Sequence, residues 1–203
     1  MATPEREFDQ SGGALSLDFA NTLGGSRERP REYLGSFADV VAFARQAGVL
    51  SARSAAEQQR RARSHPESAA AALRRAVQLR EALFRAFRSV AAGRSAMPDD
   101  LTLITHAAAE AFAHATATAS DGAYRWVADE GSFDAVRWAA ARDALELLGS
   151  PERLARVREC ASETCDWVFV DASKNRSRRW CDMRSCGNRA KARRHYARRA
   201  GSA

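Results

Sequence analysis

Apolar and polar residues alternate from Ala14 to Phe19 in GGALSLDFANT, a period of two that predicts a half-buried strand. The period then lengthens. SFADVVAFARQAG offers Ser36 as N-cap, Asp39 three residues on and Gly48 as a stop, so a helix is expected there. SARSAAEQQRRAR predicts a second, short and polar helix. From Pro66 to Gly93 the positions Leu73, Val77, Leu79, Leu83, Phe84 and Phe87 keep near-helical spacing, which predicts the longest helix of the chain. MPDDLTLITHAAAEAF predicts another. AHATATASDGAYRWVAD breaks the rhythm: alternating threonines, the turn pair Asp121-Gly122, then Tyr124, Trp126 and Val127 predict a hairpin. SFDAVRWAAARDALELLG returns to helix, with Ser132 as cap and Gly149 as stop. SPERLARVREC restarts on Ser150 and Pro151 and is expected to run as helix up to Cys160.

These elements predict an α+β chain: a mostly helical N-terminal domain with a small β element over residues 1–150, and a distinct module over residues 151–203. Trp126 and Trp138 are expected in the core. The Ala-Arg bias of residues 51–94 reads as solvated helix faces. No internal repeat is evident, and no run of 18 apolar residues suggests a membrane span. MATPEREFDQ lacks an apolar leader, so a cytoplasmic location is expected.

Charge changes the picture. Residues 151–203 hold 14 Lys plus Arg against 6 Asp plus Glu, a net of +8, which leaves −1 for residues 1–150. A basic tail on a near-neutral body points to a polyanionic partner. All four cysteines lie in that tail, as two C-x4-C pairs separated by 15 residues: Cys160 with Cys165, and Cys181 with Cys186. In a reducing compartment such a set favours metal or redox chemistry over disulfides. Four soft ligands in two knuckles suit tetrahedral zinc, Zn2+, and leave no open position for catalysis at the metal. A redox dithiol, an iron–sulfur cluster and unrelated free thiols remain open on spacing alone. DWVFVD has strand composition, ASKN is a turn and RSRRWC leads back, so a hairpin is expected between the knuckles, covered by Trp167, Phe169 and Trp180. GNRAKARRHYARR then reads as a helix. Knuckle, hairpin and helix form a treble-clef-like layout.

CASETCDWVFVDASKNRSRRWCDMRSCGNRAKARRH closely resembles the CGNR zinc finger family, with Cys186-Gly187-Asn188-Arg189, Trp180-Cys181 and Lys191 in place. LSLDFANTLGG followed by YLGSFADVVAFARQAGVL resembles the ABATE-type domain, a stress-induced transcription regulator domain that accompanies this finger. The resemblance implies a bacterial, zinc-containing, DNA-binding protein; with no H-E-x-x-H, P-loop, G-x-G-x-x-G or G-x-S-x-G motif in the chain, it is not expected to be an enzyme.

Residues 183–199 carry seven Arg or Lys and no acid. On a helical wheel Lys191, Arg194 and Arg198 share one face, while Arg189 and Arg193 share another. These are the candidate nucleic-acid contacts, Arg189 excepted: it is expected to brace the finger by pairing with Asp166 or Asp171, while nearby Arg and Lys in general could serve as counter-charge to the thiolates. Asn188 is expected as a cap or brace and Trp180 as cover. Asp18, Asn21 and Thr22, at the end of the first element, are candidates for a small-molecule site, with an Asx turn or cap as the plainer alternative. His106 and His114 read as surface or satisfied core residues. The favoured reading is a transcription regulator whose finger binds DNA and whose body senses a small molecule or forms a homodimer. The alternative is an enzyme or small-ligand protein with a structural or RNA-binding finger.

Overall fold

A computed structural model describes residues 7–24 and 29–200, with the side chains of Ser120, Arg125, Arg194, His195 and residues 197–200 outside the description. The chain runs α1 (Leu15–Ala20), β1 (Leu23–Gly24), β2 (Arg31–Glu32), α2 (Phe37–Gln46), α3 (Ala52–Ser64), α4 (Pro66–Ala91) and α5 (Pro98–Ala113). It continues through β3 (Thr116–Ser120), β4 (Ala123–Val127), α6 (Ala135–Leu148), α7 (Pro151–Leu154), β5 (Val157–Glu159) and β6 (Val168–Val170). A π-helical turn (Met183–Gly187) leads into α8 (Asn188–Ala200). The described strands form three separate antiparallel pairs, β1–β2, β3–β4 and β5–β6, so the fold is α+β.

The axis is α4, which packs against α1, α2, α3, α5, α6 and both strands of the β5–β6 pair. Its buried face holds Ala69, Ala72, Ala76, Ala82 and Ala86 with Leu79, Leu83 and Phe87. Alanine keeps the helix surface thin, so neighbouring helices close to packing distance. The Ala-Arg bias is therefore not simply a solvated face: Ala55, Ala69, Ala72, Ala76, Ala82 and Ala86 are core, while Ala52, Ala56, Ala70 and Ala92 are exposed. Arg80 is core too, at 1% exposure. Its Nη1 and Nη2 donate to the two carboxylate oxygens of Glu32 at 2.8 and 2.9 Å, which pins β2 to α4.

Local signals place most ends as expected. Ser36 and Asp39 close a reciprocal capping box at the start of α2. Asp121 (φ 50°) and Gly122 (φ 76°) form the hairpin turn, two left-handed residues that match the twist of β3 and β4. Four expectations are corrected. Where a strand is expected over residues 14–19, the chain forms helix α1 from Leu15 to Ala20. Ser16, Leu17, Asp18, Phe19 and Ala20 are all buried, so no face is wet and the alternation reports no half-solvated strand. The N-cap of α6 is Asp134 rather than Ser132, whose hydroxyl accepts the Asp134 N–H instead. Trp138 is buried, but Trp126 is 58% exposed on a two-stranded hairpin, with Phe112 edge-on at 6.0 Å. The helix from Pro151 stops after one turn, and Cys160 is delivered by β5.

That last correction decides how the C-terminal module is attached. β6 pairs with β5, Val157 opposite Val170 and Glu159 opposite Val168, and not with the returning segment 176–181. Strand alternation then divides the side chains. Val157, Val168 and Val170 enter the body's core, whereas Phe169 joins the four cysteines. The Val170 N–H donates to the Gly12 carbonyl at 2.8 Å. The Asn21 side chain spans Val168, donating to its carbonyl at 2.9 Å and accepting its N–H at 3.1 Å. Replacing Asn21 by alanine leaves both Val168 groups without these partners in a buried site. The expected cost is about 3 kcal/mol, read as a melting temperature lower by roughly 6–12 °C in Asn21→Ala.

Candidate metal centre

Each knuckle is built by backbone bonds that continue the hairpin. The Cys160 N–H donates to the Trp167 carbonyl at 2.8 Å, and the Cys165 N–H closes a turn onto Ser162 at 3.0 Å. Ala161 donates to Arg179 at 2.8 Å, which joins the first knuckle to the second. Asp171, fully buried, shapes the intervening loop by accepting from the Ser173 and Arg178 N–H groups at 2.9 and 3.1 Å. Asp182 caps the π-turn that presents Cys186.

The four sulfurs converge. All lie within 4.8 Å of one another, all four residues are buried, and Cys165–Cys181 and Cys181–Cys186 are separated by 3.8 and 3.6 Å. A tetrahedron with metal–sulfur bonds of about 2.3 Å has sulfur–sulfur edges of about 3.8 Å. The donor set and its spacing thus fit a tetrahedral thiolate-bound ion. Without a cation the thiols cannot ionise together. Hydrogen bonds from Cys165 and Cys181 pull Cys160 down to about 2, and the same bonds push Cys165 up to about 12 and Cys181 up as well. A dication at the centre removes that conflict. Arg189 adds a second positive charge: its Nη2 donates to Cys186 Sγ at 3.0 Å.

Cys186-Gly187-Asn188-Arg189 is therefore one device. Cys186 offers a sulfur, Asn188 braces the π-turn by donating to the Arg184 carbonyl at 3.2 Å, and Arg189 turns back onto the sulfur. A family model for the CGNR zinc finger matches residues 156–199. The ABATE model, described as "Putative stress-induced transcription regulator", matches residues 13–151, about two thirds of the chain. The chain belongs to the ABATE family. Among curated proteins none matches it.

The other site residues of this ABATE chain are dispersed. Lys191 and Arg193 lie exposed on α8, and Arg193 sits 3.6 Å from Glu163 of the first knuckle. The side chains of Arg194 and Arg198 lie outside the described residues. Trp180 packs on the cysteine cluster beneath the Arg179 guanidinium. Arg189 faces a thiol rather than Asp166 or Asp171. Asp18, Asn21 and Thr22 are buried and spend hydrogen bonds inside the chain, on Gly12, Val168 and Phe19. One residue escaped sequence reading: Arg178 stacks over Phe169 at 4.4 Å and donates to Trp180, Cys181 and, at 2.7 Å, Ser11. Nothing in RSRR distinguishes it from the arginines beside it.

Asp18 stands where α1 meets the N-terminal segment and the finger. Burial pushes its carboxyl up to about 7 despite the Gly12 N–H at 2.7 Å; Asp9 and Asp143 push the same way and Arg178 opposes them. The folded chain thus holds a proton that the unfolded chain releases near pH 4. This contribution to stability is complete below that pH and lost as pH rises through 7. Asp18→Asn keeps an acceptor for Gly12 without the charge. It is expected to melt above the parent at pH 8, by up to ~4 kcal/mol in stability, with the gap closing towards pH 4.

Proposed function

We propose that this chain is a DNA-binding transcription regulator: Cys160, Cys165, Cys181 and Cys186 hold one zinc, and α8 lies against the phosphate backbone. The observation that carries the reading is the charge of α8. It leaves a buried thiolate centre with six Arg or Lys and no acid in residues 188–200. Arg189 is spent on Cys186, and Arg193 is shared with Glu163. Lys191, Arg194 and Arg198 follow one another at three- and four-residue spacing, on one helix face. A dication with four thiolates and Arg189 already balances most of its own charge, so this second face is surplus to the metal. Phosphates are the partner it suits. The zinc supplies the rigidity that a three-residue strand pair and a π-turn lack, and its charge makes four buried thiolates compatible. The body, residues 1–150, is the regulatory part, and the finger, residues 151–203, the DNA-reading part.

Three phosphate contacts give a log–log salt slope of roughly −2.7, so a fourfold rise in salt is expected to weaken binding to duplex DNA by ~40-fold. A variant neutral at Lys191, Arg194 and Arg198 is expected to lose most of that slope and to weaken on all sequences alike. If the zinc-loaded, folded triple variant keeps the parent's affinity and slope, α8 does not bind DNA this way. Arg189→Ala is expected to behave differently: zinc is lost to a competing chelator more readily, while the slope of the zinc-loaded form stays within about one unit of the parent's.

A further inference from the structure

A cavity of about 570 Å³ opens in the body, away from the cysteines, between α3, the first turns of α4, the end of α5 and the start of α6. Its floor is fixed. Gln58, 2% exposed, donates at 2.8 Å to the carbonyls of both Glu130 and Ser132, and so holds the loop that forms one wall. Trp138 is buried with its indole N–H on Glu110 at 3.1 Å. His114 stacks on Trp138, ring centroids 4.5 Å apart and planes 8° from parallel. The imidazole is otherwise exposed, and neither ring nitrogen has a partner among the described residues. An aromatic plane is thus presented to the cavity on a rigid backing.

The charges around it are unequal. Arg75 is occupied, since Asp134 accepts from its Nε at 3.0 Å and its Nη2 at 2.6 Å, and Arg137 Nε adds a third bond to Asp134 at 2.9 Å. Arg61 lies 4.9 Å over the Phe133 ring and gives one N–H to the Gly131 carbonyl, with no carboxylate among its described partners. It is a cation with donors to spare, fixed by a ring and a carbonyl. Asp129 also lines the cavity and opposes a second negative charge.

From this we infer that the body binds a planar organic monoanion, an aromatic or heteroaromatic ring bearing one carboxylate. The carboxylate takes the open donors of Arg61, and the ring lies on the exposed face of His114. A phosphate dianion fits less well, because Arg75 is neutralised and Asp129 repels the extra charge. The volume falls in the range of small-molecule sites and exceeds what one ring fills, so substituents are accommodated. The site gives the regulatory body its input. That role rests on the regulator reading above; binding itself does not.

The test is calorimetry of the full zinc-loaded chain with benzoate, nicotinate and indole-3-carboxylate, each against its neutral amide. At least one acid is expected to bind with Kd below about 1 mM and at least about tenfold more tightly than its amide. Arg61→Met is expected to abolish that preference, and His114→Ala, at an exposed position, to weaken the acid several-fold without lowering the melting temperature. The assignment is overturned if no acid binds below about 1 mM, if acids and amides bind alike, or if both folded variants bind as the parent does. Repeating the salt-slope measurement with the bound acid separates the two readings: acid binding without DNA binding sinks the regulator proposal alone, and DNA binding without acid binding sinks the pocket alone.

Discussion

Four buried thiols within 4.8 Å of one another set the terms for the C-terminal quarter of the chain. As neutral groups they are small hydrophobes with little to hold them together. As thiolates they repel, and burial amplifies the repulsion. Only a cation between them makes convergence favourable. The finger has little else: a strand pair of three residues each, Phe169, and two half-covered tryptophans. A core that small does not order a loop, a π-turn and a basic helix unaided. Arg189 and Arg178 complete the arrangement from outside, the first on a sulfur and the second across the backbone of the second knuckle.

The same hairpin belongs to two cores at once. Val157, Val168 and Val170 extend the body's core, and Phe169 points the other way, into the cysteines. The finger is consequently not hung on a linker. Gly24 shows how close the fit is: at φ +119° it lies against the first knuckle, where a Cβ would come 2.7 Å from Asp166 Oδ1. The body also offers a short physical route between its cavity and the finger. α6 carries Trp138 at the cavity and Asp143, which accepts the Ser16 N–H at the head of α1. α1 is followed by Asn21, which grips Val168 next to Phe169.

Much of this was legible in the sequence where the physics is local. Ser36 with Asp39, Pro66, Asp121-Gly122 and the 3.6-residue spacing of α4 announce their elements because caps and turns are settled by neighbouring residues. The cysteine pairs were legible because metal ligands must be soft and clustered. Illegible were the features that depend on burial by distant segments. Residues 14–19 look like a strand only if one face is wet, and α1 has none. Arg80 and Arg178 look like their solvated neighbours until Glu32 and the Ser11 carbonyl are brought to them. Trp126 promises a core residue, but no layer among the described residues covers its hairpin. β5 was hidden because Val157–Glu159 is three residues long, and its pairing partners lie 9 to 13 residues further along the chain.

Titration of the metal-free, reduced chain with cobalt(II) reads the centre directly, since cobalt reports ligand type and geometry in its absorption spectrum. The account predicts saturation at one equivalent per chain, an intense thiolate-to-metal charge-transfer band with the strong visible bands of a tetrahedral site, and full displacement by one equivalent of zinc. Weak bands of a six-coordinate ion, no saturation at one equivalent, or an unchanged spectrum when any one of the four cysteines is replaced by serine would contradict it.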